Sequence, residues 1–321
     1  MATATTSEMP ADNAATVLVS TFSLSDLAPP PTTVRLTLTA DFPLNSYEAQ
    51  LAAFTLPAAL PASITSLTLE LFTYGYPPGF LASLGSLLPR LTEITLYLQL
   101  VAGTTAESFH DAKAFLGTAL RNGLQKLKLV DVFVPPDFFP AAAAAAAAGE
   151  DGTGGAWSLR ELTLLYTFRS ADREFNERLP AATVPVLLRP GLERLTVRVQ
   201  PEAADKPGMT PCAGEAGAGV VDALMAWSKA DAARLRRLDL SAFAFDAATV
   251  ARLASRFRAV AEAAWAVCAD GRAEGKKSAM QAAAVGKQLQ ELEVVACPGM
   301  EFYGAVSTHP SGEWLDGRCW C

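Results

Sequence analysis

One spacing of apolar positions recurs along this chain: an apolar residue, two mostly polar ones, an apolar one, one more residue, and an apolar one. It reads Ile64-x-x-Leu67-x-Leu69, Leu91-x-x-Ile94-x-Leu96, Leu124-x-x-Leu127-x-Leu129 and Leu159-x-x-Leu162-x-Leu164. It continues as Leu192-x-x-Leu195-x-Val197, Leu235-x-x-Leu238-x-Leu240 and Leu289-x-x-Leu292-x-Val294, and a weaker Leu36-x-Leu38 opens the series. In an L-x-L strand both leucines point to one face and the residue between them to the other. Each copy therefore predicts a short strand with one buried and one wet face. The first residues of the seven strong copies stand 27, 33, 35, 33, 43 and 54 apart, mostly within the periods of stacked solenoid units. An apolar face without a partner in its own unit is buried by stacking the units in parallel.

The stretches between the anchors carry helical spacing. Thr104-x-x-Glu107 reads as a capping box ahead of Phe109, Ala112, Phe115, Leu116, Ala119 and Leu120, with Gly123 as the stop. Val220, Val221, Leu224, Met225 and Trp227 predict a second helix. Ala248, Val250, Leu253, Phe257, Val260, Ala264 and Val267 predict a third, long one. Strand, turn, helix and return, repeated about eight times, predict an α/β solenoid.

These anchors, over roughly residues 33–300, resemble the leucine-rich repeat family. The resemblance implies a curved horseshoe with a parallel sheet on its concave face and helices on its convex face. The family's Asn or Cys after each anchor would fall on Phe72, Gln99, Val132, Thr167, Gln200, Phe243 and Cys297. Only Cys297 matches, so the turns are expected to be built differently in each repeat. Long, uneven repeats of this kind are most similar to those of F-box proteins, especially the divergent fungal ones. That likeness implies a substrate receptor in a ubiquitin ligase complex. An F-box would open with a Leu-Pro pair and an acidic residue, whereas residues 1–32 offer only Leu27-Ala28-Pro29-Pro30-Pro31. Either the repeat domain acts alone or an F-box lies upstream of Met1.

The expected organisation is a flexible segment or cap over 1–32, the repeat domain over 33–300 and a cap or tail over 301–321. Loop insertions are expected near 141–156, 201–219 and 268–287. The first begins with the run Ala141 to Ala148, which favours helix, and passes into a glycine-rich stretch. In the third, Asp270-Gly271-Arg272 separates two helical pieces. Trp314 and Trp320 suggest that the tail folds back over the last repeat.

Composition narrows the function classes. Half of the 321 residues are hydrophobic, 18% are charged, and mean hydropathy is +0.22, which argues against a disordered chain. A net charge of −7 argues against a nucleic-acid binder working through bulk positive charge. The uncharged stretch Ala49–Leu60 and its continuation to Leu69 contain Pro57 and Pro61, and no basic residue precedes Arg35. Neither a spanning helix nor a secretory leader is expected, and a cytoplasmic or nuclear location follows. Five cysteines, Cys212, Cys268, Cys297, Cys319 and Cys321, fit reduced thiols better than a disulfide framework.

Chemistry is sparse. Two histidines, His110 and His309, and no C-x-x-C spacing leave no zinc motif. His110 is expected to be an exposed helix residue. Gly271 to Ser278 falls short of a phosphate loop by one residue, with Lys277 where Ser or Thr belongs. Gly214 to Gly219 lacks dinucleotide-turn spacing. The terminal Cys319-Trp320-Cys321 resembles a prenylation signal of Rab-type GTPases, but nothing else here resembles a GTPase. No enzyme, cofactor or metal is expected.

The candidate site is the polar side of the strands: Glu93 and Tyr97, Lys126 and Lys128, Glu161, Arg194 and Arg198, Arg237 and Asp239, and Glu291 and Glu293. Residues 1–120 hold three basic and nine acidic residues, residues 121–260 hold 18 and 16, and the remainder five and eight. Lys126, Lys128, Arg194, Arg198 and Arg237 would then form a basic patch for an acidic protein partner, unless the charges merely alternate and keep a one-sided sheet soluble. The expectation is a non-enzymatic scaffold that binds protein on its concave face, as a monomer or a subunit of a hetero-complex, with no nucleic acid, membrane or metal. The competing classes are a regulator of a small GTPase or another enzyme, and a purely structural assembly protein.

Overall fold

A computed structural model of the chain describes residues 19–23, 29–39, 45–46, 49, 55–70, 76, 78–97, 105–130, 132, 134–135, 137–147, 157–166, 173–199, 217–267 and 291–295. The described strands are β1 (Val19–Ser23), β2 (Arg35–Thr39), β3 (Ser66–Glu70), β4 (Glu93–Tyr97) and β5 (Lys126–Val130). They continue as β6 (Glu161–Tyr166), β7 (Arg194–Val199), β8 (Arg237–Phe245), β9 (Glu262–Val267) and β10 (Glu291–Val295). The helices are α1 (Phe80–Leu87), α2 (Ala106–Arg121), α3 (Phe138–Ala147), α4 (Arg173–Leu187), α5 (Ala218–Met225), α6 (Lys229–Ala232) and α7 (Ala247–Arg256).

All ten strands form one parallel sheet whose spatial order is the chain order. The arrangement is α/β and solenoid-like: each unit lies against its neighbours. The register puts anchor beside anchor, so that Leu36, Leu67, Ile94, Leu127, Leu162, Leu195 and Leu238 form one continuous buried row. Leu38, Leu69, Leu96, Leu129, Leu164 and Val197 form the next. The helices pack on this side, contributing Leu84, Phe115, Phe138, Val184, Leu224 and Leu253 to the same core. At the entrances to β3–β8 one carbonyl accepts two N–H groups of the next unit. Thr65 O takes Thr92 and Glu93, Thr92 O takes Gln125 and Lys126, and Gln125 O takes Arg160 and Glu161, at 2.8–3.0 Å. A backbone ladder thus ties the units together at that end.

Two expectations about the strands change. The expected eight repeats are ten strands. One additional strand is β1, inside the segment 1–32 expected to be a flexible segment or cap, with Phe22 beside Leu38. The other is β9, which replaces the second half of the long helix expected over Ala248–Val267. The helix ends at Arg256, Phe257 is its C-cap, and Ala261 N–H joins the entrance ladder at Arg236 O. The run Glu-Ala-Ala-Trp-Ala-Val suits either periodicity, and pairing with β8 and β10 decides it. Register aligns Ala263-x-Trp265 with Leu292-x-Val294, and in the sequence Val260 precedes the first pair by three residues as Leu289 precedes the second. The anomalous gap of 54 residues therefore divides into 25 and 29, with alanine hiding the anchor.

Local chemistry explains the helices. The N-cap of α2 is Thr105, one residue beyond the expected Thr104, and its hydroxyl accepts from Ser108 N–H at 3.1 Å. Glu107 therefore sits one place short of a capping box. Gly123, at φ +95°, ends the helix as expected, and Leu124 N–H reaches back to Ala119 O at 3.2 Å. Helix α1 has no side-chain cap of its own, since Gly79 stands there. Buried Asp111 of α2 supplies it, accepting from Leu81 and Ala82 N–H at 3.0 and 2.9 Å. The carboxylate meets the positive end of the neighbouring helix.

The alanine run is helical through Ala147, and the rest of the insertion expected over 141–156 up to Ala156 lies outside the described residues. Its small side chains have a packing reason. A Cβ on Gly117 of α2 would stand 2.8 Å from Ala145 Cβ and 2.9 Å from Ala142 O, so two small-residue faces let α2 and α3 approach closely. Of the expected 201–219 insertion, residues 217–219 already belong to the start of α5. The remainder, the 268–287 insertion and the tail 301–321 lie outside the described residues.

Candidate functional site

The residues between the buried anchors lie on the sheet face that no described helix covers. Register sorts them into three rows running across the strands. The first is Arg35, Ser66, Glu93, Lys126, Glu161, Arg194, Arg237, Glu262 and Glu291. The second is Thr37, Thr68, Thr95, Lys128, Thr163, Thr196 and Asp239. The third holds Tyr97, Val130, Leu165 and Arg198.

The first row does not make a basic patch. From β4 to β7 its charges alternate along neighbouring strands, about 4.8 Å apart, and they pair, whereas Arg194 and Arg237 stand side by side on β7 and β8. Lys126 Nζ lies 2.9 Å from Glu93 Oε1, and Arg194 Nε 3.9 Å from Glu161 Oε1. Just outside the strands, Arg160 and Glu193 repeat the pairing at 3.7 Å. The hydrogen bond to Glu93 is the main reason that the Lys126 ammonium holds its proton above the usual lysine value, with the charges of Glu93 and Glu161 assisting. Of the expected basic patch of Lys126, Lys128, Arg194, Arg198 and Arg237, three cations, Lys126, Arg194 and Arg198, lie beside cross-strand acids.

Arg198 and Asp239 form a different kind of pair. Asp239 is 1% exposed on the face that should be wet. Its Oδ2 accepts from Arg198 Nε, and its Oδ1 from Ser241 N–H and Oγ–H at 3.2 and 2.8 Å. The cause is a break in the sheet. Asp239 lies opposite Ala264 but Ala244 opposite Ala266, so β8 spends five residues where β9 spends two. The displaced stretch buries Leu240, Ala242 and Phe243. Phe243 occupies a position where the resembling family would carry its turn asparagine, and so does the fully buried Val132. Both positions are apolar and buried.

What remains open lies over β4–β6. Lys128 is exposed in the middle of the threonine row and has no ion-pair partner among the described residues. Beside it run Tyr97, Val130 and Leu165. Tyr97, at 38%, is the one exposed large hydrophobic among the described residues. Val130 is buried beside the main hydrophobic cluster, and Leu165 is half-buried and outside that cluster. Tyr97 and Lys128 are among the expected site residues, and Val130 and Leu165 are not. The signal was there, because Val130 and Leu165 are apolar at positions where neighbouring strands carry Arg198 or Glu70.

Glu161, Arg194 and Arg237 stand on the open face where expected. Glu291 and Glu293 stand on β10, whose side chains are outside the described set. His110 is exposed on α2 as expected. Among the described residues no group of three or more His, Cys, Asp or Glu could hold a metal ion. No helix among them is long and apolar enough to cross a membrane. Comparison with known proteins finds no matching family model and no matching curated protein.

Proposed function

We propose that the protein is a leucine-rich-repeat-type scaffold that binds a protein partner on the open face of its sheet, centred on Tyr97, Lys128, Val130 and Leu165. The observation that supports this reading is the apolar row of Tyr97, Val130 and Leu165 across β4–β6 on the open face, beside Lys128, which has no ion-pair partner among the described residues. Apolar side chains around a lone cation suit a partner segment carrying an acidic residue next to an apolar one. An aromatic ring with little side-chain entropy to lose is a good anchor for such a contact. The threonine row on either side offers hydroxyl donors and acceptors without adding charge.

The partner's place in the cell follows the same reading. A substrate receptor related to F-box ligase subunits would present a target on this face and meet the ligase adaptor through another segment.

The test is a pull-down from the source cells with the wild-type chain and the Tyr97→Ala/Lys128→Glu variant. Both residues are exposed, so the variant should keep its unfolding midpoint. Proteins retained by the wild type should be lost by the variant, with the ligase adaptor unaffected if it is present. Equal retention by both chains would move the binding face elsewhere. Arg198→Glu is unsuitable for this purpose, because it would set a second carboxylate against buried Asp239.

A further inference from the structure

We infer that a cavity of about 500 Å³ between α6, α7 and the turn into β9 is a binding site for a small molecule bearing a phosphate monoester. The cavity is lined by Lys229, Ala233, Ser255, Arg256, Arg258 and Ala259. Among the described lining residues three are cations and none is an acid, in a chain whose net charge is −7. Its size is that of an ordinary small-ligand pocket.

The cations are only partly used by the fold. Arg256 Nη2 donates to Trp227 O, closing the end of α7 onto the turn after α5. Its Nε is buried and finds no acceptor. Arg258 Nε donates to Ser255 O at 3.2 Å, which leaves the rest of its guanidinium fork. Lys229 has no ion-pair partner among the described residues. A fourth cation, Arg236, donates to Ala259 O on the cavity wall at 3.3 Å. The nearest acid in sequence, Asp231, is engaged by the Ser228 hydroxyl at 2.6 Å and does not line the cavity. Gathering like charges around a recess whose described lining holds no acid is unfavourable for the protein alone. A dianion with several acceptor oxygens relieves that repulsion and gives forked guanidinium donors their preferred partner. A carboxylate supplies half the charge and fewer oxygens. The Ser255 hydroxyl on the same wall adds a neutral donor.

This site is independent of the open sheet face. Calorimetric titration of the full chain with glycerol 3-phosphate, inorganic phosphate, acetate and a phosphoserine peptide, at constant ionic strength, tests it. Glycerol 3-phosphate should bind and raise the unfolding midpoint, and acetate should do neither. Lys229→Ala and Arg258→Ala should each weaken binding by about tenfold or more, and Arg258→Lys should recover part of the loss. The Tyr97→Ala/Lys128→Glu chain should bind the ester as the wild type does. Arg256 is left alone because its bond to Trp227 also supports the fold. Absence of ester binding, or binding unchanged in Lys229→Ala/Arg258→Ala, would overturn the assignment. Binding of the phosphopeptide but not of the small ester would overturn its small-molecule form.

Discussion

Strands β3–β7 and strands β8–β9 belong to one sheet but are held in it by different means. In the first group every strand is short, the register runs without interruption, and each anchor position carries Leu, Ile or Val. Neighbouring charges lie on the wet side and pair across strands. In the second group an anchor shrinks to Ala263, and β8 lengthens to nine residues and slips register between Asp239 and Ala244. Buried Ala242, Phe243 and Phe245 supply apolar volume beside the small anchor, and a charge pair moves inside the face. Repetition tolerates a weak unit when its neighbour can bulge to fill the space, because stacked units share one core.

The comparison breaks most visibly at buried side chains. Leu195→Ala in the regular stack should cost about 2–5 kcal/mol and Phe243→Ala in the bulge about 3–5 kcal/mol, read from urea unfolding midpoints. If Phe243→Ala costs less than a surface change, the bulge is not part of the core.

The charge pairs sharpen the contrast next. Arg198→Ala leaves the buried Asp239 carboxylate with Ser241 as its hydrogen-bond partner among the described residues and should cost about 1–3 kcal/mol. Its loss should persist at high salt, since the carboxylate is shielded from ions.

The N-cap of α7 gives a smaller, pH-dependent effect. Thr249 N–H donates to Asp246 Oδ1, and this bond holds the carboxyl below its ordinary value of 3.8. Ionised Asp246 thus stabilises the fold at pH above that value, and the contribution fades as pH falls through the lowered one. Asp246→Ala should cost about 1 kcal/mol at neutral pH, and the gap to the wild type should narrow in acid, measured by thermal unfolding at both pH values.

Smallest is the exposed ladder. Glu93→Gln should cost under about 1 kcal/mol, and added salt should erase the difference. With its proton held more tightly in the fold, Lys126 contributes below its ordinary value of 10.5, and that contribution is lost as pH rises through the raised one.

The repeat was readable because its signal is local. Leucines two apart, offset by three from a third, state which face of a strand is buried, whatever the rest of the molecule does. Gly123 marked a helix end for the same reason, since its positive φ is a property of one residue. The hidden strand at Ala263 was not readable. Alanine satisfies helix and strand alike, and only backbone pairing with β8 and β10 separates them. The candidate site shows the same division. Polar positions between the anchors identified Tyr97 and Lys128, but composition counted Lys126, Arg194 and Arg198 as available charge.

The sequence by itself determined that this chain stacks parallel strands in order, because each unit carries an apolar face that only another unit can bury. Tertiary structure decided which charges remain free. Register sets Glu93 beside Lys126 and Glu161 beside Arg194, and the bulge of β8 draws Asp239 under Arg198. It also brings Tyr97, Val130 and Leu165, each from a different repeat, into one row. Such neighbours lie more than 30 residues apart in the chain, and only the hydrogen-bonded register of the sheet makes them adjacent.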